Sequence, residues 1–385
     1  MSRKSRREYV AILRKRYKSA DRTEKSRIID ELSKNCEIHK KSAQRLLLPR
    51  LKTSITRSGR KAIYSPETIL HLKILWKEMD YCCSKKMVAA FPFWLVHYDC
   101  AQEIKDQLLL MSASTIDRSL RVFRADRLRK NNTGTKPGRM LKNTIPVKPM
   151  NYKVTAPGDV DADTVAHCGD SLSGQFAHSV TFTDILLGWT INRAIWSNCG
   201  KEVVGAVKYA ESKLPFEIRQ FGCDNGSEFL NHTLISFFAD KTQRSNLINM
   251  HRGRPYRSND QCHVEQKNWT HVRQLFGYIR IDDKDLLPLM NEIYSVWELY
   301  QNFFIPQVKL KRKTRIGSRY RREYTDPITP YQRALDCEAI AESEKEKLRA
   351  LYATLNPFTL KREIDQKLRL FMKRHLSNSP LQEAS

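Results

Sequence analysis

A regular alternation of acidic and uncharged residues occurs at residues 158–169, which read GDVDADTVAHCG. Successive side chains of a β-strand point to opposite faces, so this spacing puts Asp159, Asp161 and Asp163 on one face of a strand. A row of like charges is costly to bury unless the charges meet a cation. The segment therefore predicts a strand with one acidic face, in a sheet where that face can reach a cation.

The chain around this strand alternates between predicted strands and helices. Strands are expected at 160–165, 178–185, 188–196, just before Asp224 and at 247–250, and helices at 203–212, 233–240, 260–276 and 286–304. Three adjacent strands followed by alternating helices and strands are typical of a mixed sheet with helices on its faces. We therefore predict an α/β domain at 158–305, with a mixed five-stranded sheet and helices on both faces.

The front of the chain has a helical pattern and a strongly basic composition. Lys and Arg outnumber Asp and Glu by 68 to 42, and residues 1–150 contain 35 of these bases against 14 of the acids. Such an excess predicts a nucleic-acid partner, held by salt-dependent contacts to phosphate. Residues 23–48 divide at 35–37 into two helical pieces, which is the length pattern of a helix-turn-helix.

A second helical group is predicted over residues 65–129. Its last helix begins near Ser112 or Ser114, with Asp117 three residues after Ser114 in a capping-box arrangement. The apolar positions expected to face inward are Ile116, Leu120 and Phe123. The surface positions expected to contact DNA are Arg118, Arg121 and Arg124. An apolar back and a basic front are what a helix needs to enter a DNA groove.

Composition marks further boundaries along the chain. Residues 131–157 are rich in Asn, Thr, Gly and Pro and lack periodicity, which indicates a linker. We predict helix-turn-helix DNA-binding domains at 1–60 and 61–130, and a basic, partly helical C-terminal region at 306–385. Within 309–322, eight of fourteen residues are Lys or Arg. This composition suits either a segment that grips a phosphate backbone or a solvated loop.

Several classes of protein are disfavoured by what the sequence lacks. No apolar run approaches the roughly 18 residues of a membrane span, and the basic N-terminus has no signal-peptide pattern. We therefore expect a cytoplasmic, nucleoid-associated protein without a membrane partner. The nine cysteines include no CxxC pair, which argues against a structural zinc site of ordinary spacing.

Two further segments contain candidate carboxylates. Residues 221–229, FGCDNGSEF, predict a strand that ends in a tight turn and leaves Asp224 at the carboxyl edge of the sheet. A turn aspartate without a function would look the same. Residues 252–278 pass from a basic loop into a predicted helix that begins near Asp260, and Glu265 is the only carboxylate between Asp260 and Asp282. This helix is polar on so many sides that covering a core does not explain it.

Three carboxylates in a sheet of this kind suit phosphoryl transfer. Two divalent ions, bridged and flanked by carboxylates, can activate an attacking oxygen and stabilise a leaving one. Hard oxygen ligands favour Mg²⁺ or Mn²⁺.

The order of acidic strand, DNGSEF and RPYRSND…HVEQKN, followed by TPYQRAL at 329–335, resembles integrase-like bacterial insertion-sequence transposases of the DDE type. These enzymes share the ribonuclease H-like fold with retroviral integrases, and the resemblance covers about residues 150–335. It implies that Asp163, Asp224 and Glu265 are the catalytic and metal-binding carboxylates. Asp163 is preferred to Asp161 by this resemblance alone, because both lie on the same strand face.

The resemblance also implies a reaction and its partners. A metal-activated water would hydrolyse the phosphodiester at a transposon end, and the freed 3′-hydroxyl would attack target DNA. Lys267, Asn268 and Arg273 would then hold DNA phosphates. The partners would be double-stranded DNA and further copies of the chain, since two ends must be joined. The alternatives are a purely hydrolytic nuclease of the same fold and a sequence-specific DNA-binding repressor.

Overall fold

A computed structural model of the protein describes residues 3–48, 63–124, 154–197, 199–223, 229, 231–240, 247–252 and 262–377. The chain divides into two compact units, residues 1–63 and residues 64–385. Most of the predicted linker at 131–157 and the carboxylate Asp224 lie outside the described residues.

The first unit contains three helices, α1 (Arg3–Ser19), α2 (Arg22–Asn35) and α3 (Lys40–Leu47). Their shared core consists of Val10, Leu13, Ile28, Leu32, Ala43 and Leu47. Asp21 begins α2 because its carboxylate accepts the Glu24 amide N–H at 2.8 Å. Glu37 takes a left-handed conformation with φ of 54°, which ends α2 and turns the chain toward α3. The two helices thus separate where the sequence predicts a turn.

The second unit begins with four helices: α4 (Pro66–Glu78), α5 (Ser84–Trp94), α6 (Gln102–Leu109) and α7 (Ala113–Leu120). Its sheet consists of β1 (Asp159–Ala166), β2 (His178–Asp184), β3 (Thr190–Ile195), β4 (Gln220–Cys223) and β5 (Asn249–Arg252). The helices among and after these strands are α8 (Gly200–Lys213), α9 (His232–Ala239), α10 (Cys262–Lys267), α11 (Gln274–Phe276) and α12 (Leu287–Phe304). The C-terminal elements are β6 (Leu310–Ile316), β7 (Arg319–Tyr324), α13 (Pro330–Asp336), α14 (Glu342–Thr354) and α15 (Pro357–Ser377).

The five strands lie in the order β3-β2-β1-β4-β5. β2 pairs antiparallel with both β1 and β3, whereas β4 pairs in parallel with both β1 and β5. The apolar face carries Val160 and Phe221, and the Phe221 ring lies 4.9 Å from that of Phe238 in α9. α8 packs beside α9, while α10 contacts β1 and β2. The predicted mixed five-stranded sheet flanked by helices is confirmed.

Helix α12 covers the free edge of this sheet. Its side chains Asn302, Glu298 and Asn291 accept the amide N–H groups of Thr190, Asn192 and Ala194 at 3.0, 3.0 and 2.8 Å. An edge strand otherwise presents unpaired backbone groups that invite association with other chains. The polar positions of α12 therefore complete β3 and block that edge.

Helices α4–α7, which the sequence predicts as a separate domain, share a core with the sheet domain. The Trp94 indole N–H donates to the Phe304 carbonyl at 2.9 Å, and the Tyr300 hydroxyl donates to the Glu78 carbonyl at 2.6 Å. Trp94 and Tyr300 are fully buried. Residues 64–124 thus belong to the same compact unit as the sheet.

The beginning of α7 differs in one detail from the expected capping box. Ser112 is the cap, since its hydroxyl accepts the Thr115 amide N–H at 3.3 Å. Asp117 instead pairs with Arg124 at 2.7 Å. Ile116 and Leu120 are buried as predicted, but Phe123 is 36% exposed. The helix ends at Leu120 and a 3₁₀ turn follows, so helical spacing no longer applies at Phe123.

Among the described helices, none is both long enough and apolar enough to cross a membrane.

Glu298 makes the contact between α12 and β3 sensitive to pH. Burial raises the pKa of this carboxyl from 4.5 to about 8. Between these values the folded protein keeps a proton that the unfolded chain loses, so wild-type stability falls as the pH rises. Glu298→Gln retains the acceptor and cannot ionise. We therefore expect the difference in free energy of unfolding, variant minus wild type, to increase by about 1.4 kcal/mol for each unit by which the pH rises between these two values.

The measurement is urea unfolding at a series of pH values. Glu292→Gln, at an exposed position of the same helix, serves as the control and should follow the wild type. A constant difference between Glu298→Gln and the wild type would contradict a raised pKa.

Candidate active site

The acidic residues of β1 lie on a polar face of the sheet. In the antiparallel register, Asp161 lies opposite Thr183 and Asp163 lies opposite Thr181. The other buried polar residues of this face are Ser179, Thr190 and Asn192. The Asn192 amide donates to the Thr181 hydroxyl at 2.9 Å. Hydrogen bonds between buried polar groups offset the cost of removing those groups from water. The sheet can therefore keep polar residues on this face without a large loss of stability.

Asp161 is packed tightly between strands. It is 4% exposed and pairs with Gly222 of β4. A Cβ atom added at Gly222 would stand 2.3 Å from Asp161 Oδ1 and 2.8 Å from His251 Nε2. Real Cβ atoms essentially never come this close to another atom, so a side chain at position 222 would require the aspartate or the histidine to shift.

Asp163 is more accessible and is held by the helix region that covers the sheet. Its Oδ2 accepts a hydrogen bond from the Asn268 amide at 2.6 Å, and its Oδ1 accepts the Thr164 amide N–H at 2.8 Å. Among the described residues, Asn268 Oδ1 is buried without a hydrogen-bond partner. A buried acceptor beside a carboxylate fits a site that receives a further polar group or cation.

The helix that contains Glu265 presents its two sides differently. Glu265 and Trp269 are exposed, whereas Val264 and Asn268 are buried against the sheet. Partial burial nevertheless raises the pKa of the Glu265 carboxyl above its ordinary value. Glu265 thus lies at the rim of the region in which Asn268 reaches Asp163.

A π-helical segment, Asn268–Arg273, joins α10 to α11. Such segments are rare and are frequent at functional sites. It contains Asn268 and His271, both buried. Desolvation, followed by the nearby charge of Lys267, lowers the pKa of His271 well below its ordinary value. No sequence signal predicts this change of helical winding.

The three residues expected to hold DNA phosphates all turn toward the protein interior to some degree. Lys267 and Asn268 are each 9% exposed. Burial, reinforced by nearby cations of which Lys86 is the strongest, lowers the pKa of Lys267 well below its ordinary value. Arg273 donates to the carbonyls of Ala166 and Gly277, both at 3.3 Å. Arg273 therefore links the helix to the end of β1.

The remaining expected site residues are distributed as follows. Asp224 follows Cys223, the last residue of β4, and lies outside the described residues. Arg118, Arg121 and Arg124 are exposed at the end of α7, although Arg124 is paired with Asp117. The described part of the chain contains no group of three His, Cys, Asp or Glu residues that could hold a metal ion. Asp163 and Glu265 supply oxygen ligands of the kind that Mg²⁺ and Mn²⁺ prefer.

Sequence reasoning missed Gly222 and His251 beside Asp161. A signal for Gly222 was present, because a glycine inside a strand pattern often marks a close approach by another group. His251 gave no comparable signal. Its position depends on the parallel pairing of β4 with β5, which sets Gly222 opposite His251.

Comparisons with known proteins place the chain in a family. No protein-family model matches it. It is 33% identical over 336 residues to the uncharacterized protein y4rM of Sinorhizobium fredii, across 86% of this chain and 95% of that protein. The chain therefore belongs to the same family as y4rM.

The solved structures that the chain matches include catalytic cores of retroviral integrases. The core domain of BIV integrase is 16% identical with a TM-score of 0.30, over 49% of this chain and 97% of that one. The HTLV-2 integrase core, solved with magnesium, is 18% identical with a TM-score of 0.29, over 40% and 91%. A simian T-cell lymphotropic virus intasome in complex with a PP2A subunit is 16% identical with a TM-score of 0.32, over 59% and 84%.

The contact between Asp161 and Gly222 can be tested by substitution. In Gly222→Ala the new methyl group must displace the carboxylate or the His251 ring. We expect a loss of about 1–3 kcal/mol in the free energy of unfolding, as is typical of overpacking. Gly205→Ala in α8 is the matched control, because nothing lies within 4 Å of its added Cβ.

The control should gain up to about 1 kcal/mol from helix propensity. Equal urea midpoints for the two variants would show that Asp161 does not pack against Gly222 as described.

Proposed function

We propose that this protein is a metal-dependent polynucleotidyl transferase and, within that class, a DDE transposase. The observation that carries the proposal is the hydrogen bond of 2.6 Å from Asn268 to Asp163. It ties the helical region that contains Glu265 to the acidic face of β1. We propose that these two carboxylates, which are far apart in sequence, border one cation site, as phosphoryl transfer requires.

The register of the sheet supports Asp224 as the third carboxylate. β1 and β4 are parallel, and Ala162 lies opposite Cys223. The residues that follow these two in the sequence are Asp163 and Asp224. Our proposal therefore assigns Asp163, Asp224 and Glu265 to two Mg²⁺ or Mn²⁺ ions.

Accessibility supports Asp163 over Asp161 as the first carboxylate. Asp161 is buried against Gly222, whereas Asp163 is only half-buried. The second oxygen of Asp163 is oriented by the neutral Asn268 amide, which fixes the carboxylate without adding positive charge to it. Asp161 then serves mainly to fill the space between β1, β4 and β5.

The proposed reaction divides its tasks among these residues. Bound divalent ions would supply an activated oxygen nucleophile and stabilise the leaving oxygen. Asn268 holds the Asp163 carboxylate, and Glu265 closes the site from the helix. Exposed basic residues, including Arg118 and Arg121, would bind the transposon ends and target DNA through phosphate contacts. Two copies of the chain would bring two ends together.

Removal of the carboxylates tests the proposal. The substrate is labelled duplex DNA that ends in the inverted repeats flanking the gene, incubated with Mg²⁺ or Mn²⁺. We expect Glu265→Gln and Asp163→Asn to lose more activity than the roughly 10–100-fold typical of a lost outer-shell partner. DNA affinity should be retained, because the uncharged isosteres remove no cation.

Asp170→Asn, at an exposed aspartate beyond β1, is the matched control and should cleave normally. Cleavage by Glu265→Gln at the wild-type rate would refute the assignment. Cleavage without strand joining would instead indicate a hydrolytic nuclease. End binding by the wild type without any metal-dependent cleavage would indicate a repressor.

A second prediction concerns Asn268 as a positioning residue. In Asn268→Ala the Asp163 carboxylate loses its orienting donor. We expect the Mg²⁺ concentration for half-maximal cleavage to rise by roughly 10–100-fold, with less change in the rate at saturating metal. Thr270→Ala is the control, because within the described part of the chain the Thr270 hydroxyl donates only to carbonyls of its own helix, those of Gln266 and Lys267. An unchanged metal requirement in Asn268→Ala would rule out this role.

A further inference from the structure

The basic segment after α12 forms a two-stranded antiparallel hairpin of β6 and β7. Every residue of the two strands is exposed except Thr314, which is half-buried. The cationic side chains of the strands are Lys311, Arg312, Lys313, Arg315, Arg319, Arg321 and Arg322, and the one acidic side chain is Glu323. A hairpin without a core of its own is only marginally stable in water, so this ribbon gains from a partner.

The two faces of the hairpin differ in composition. Directly opposite residues share a face, and Lys313 lies opposite Arg322 while Arg315 lies opposite Tyr320. The tyrosine face consists of Leu310, Lys313, Arg315, Tyr320, Arg322 and Tyr324, and a register shift between Leu310 and Arg312 leaves Lys311 outside the paired residues. The glutamate face consists of Arg312, Thr314, Ile316, Arg319, Arg321 and Glu323. The tyrosine face therefore combines three cations with two aromatic rings and has no acid.

Charge on the tyrosine face is unbalanced within the hairpin. Like charges directly opposite each other, such as Lys313 and Arg322, destabilise a strand pair. The Lys313 ammonium lies 4.6 Å from the centre of the Tyr320 ring, an exposed cation–π contact worth about 0.5–1 kcal/mol. On the other face Arg321 has Glu323 at 3.6 Å. A polyanion bound to the tyrosine face would offset the repulsion between cations such as Lys313 and Arg322, which no acid on that face neutralises.

We propose that the tyrosine face is a DNA-binding ribbon that enters the major groove of duplex DNA. This inference rests on the proposed function, because it takes DNA as the partner. The major groove of B-DNA admits a two-stranded β-ribbon. Arginine forks suit phosphates and guanine edges, and tyrosine hydroxyls suit phosphate oxygens. Duplex RNA is a poorer fit, because its major groove is too narrow for side chains to read.

The test uses the full chain and two variants of equal charge. Lys313→Gln/Arg322→Gln changes the tyrosine face, and Arg312→Gln/Arg319→Gln changes the glutamate face. Affinity for a labelled duplex is measured over a range of salt concentrations. The tyrosine-face variant should reduce the slope of log Kd against log salt by about 2, at about 0.9 per phosphate contact. The glutamate-face variant should change the slope much less.

Protection of guanine N7 from methylation supplies a second readout in the major groove. The wild type and the glutamate-face variant should protect guanines that the tyrosine-face variant leaves reactive. Equal effects of the two variants on slope and protection would show that only net charge matters and would overturn the inference. Equal or tighter binding of duplex RNA by the wild type would overturn it as well.

The outcomes separate this inference from the proposed function. If the tyrosine-face effect appears but no metal-dependent cleavage is found, the hairpin inference stands and the transposase proposal fails. If cleavage depends on Glu265 but the two hairpin variants behave alike, the transposase proposal stands and the hairpin inference fails. A wild-type chain that binds no duplex DNA overturns both. Both hairpin variants should melt at the wild-type temperature, because the substituted side chains are exposed.

Discussion

The main constraint on this molecule is that one face of its sheet carries several polar residues that are buried. Thr181, Thr183 and Asn192 have almost no exposure, so their polar atoms depend on protein groups for hydrogen bonds. The Asn192 amide donates to Thr181, whereas among the described residues Asn192 Oδ1 has no partner. The α10 region supplies Asn268 toward Asp163, and α12 supplies a carboxyl and two amides to the β3 edge. These helices therefore include polar residues among their buried, mostly apolar positions, and Asp163 itself is only half-buried.

The architecture could be predicted from sequence because it follows local periodicity. Side chains that alternate in polarity every second residue indicated the strands, and apolar side chains three or four residues apart indicated the helices. What failed depended on contacts between distant residues. The sequence pattern does not indicate that Glu298 and Asn302 of α12 are buried, because their burial depends on β3, whose amide N–H groups donate to them. The packing of α4–α7 on the sheet domain was missed similarly, since it depends on Trp94 reaching a carbonyl 210 residues away.

For the candidate site too, local sequence patterns were informative and contacts between distant residues were not. Period two placed Asp161 and Asp163 on one face, but it could not rank them, because their difference in exposure comes from Gly222 on another strand. Glu265 was identified by its isolation in a polar helix. The inward orientation of Lys267 and Asn268 was not anticipated, since polar residues in a helix usually face solvent and the π-helical segment has no sequence signature. The roles of these two residues toward DNA phosphates therefore stay predictions.

In the proposed function, attraction of a polyanion and retention of a cation would rely on different residues. The described partner of Asp163 from the covering helix is an amide, which orients an oxygen without neutralising it. A lysine or arginine in that place would form an ion pair and reduce the affinity for a divalent cation. The exposed cations stand elsewhere, on α7 and on the β6–β7 hairpin, where long-range attraction can bring nucleic acid to the surface. Lys267, in the same helical region as Asn268, is buried, and burial lowers the pKa of its ammonium group.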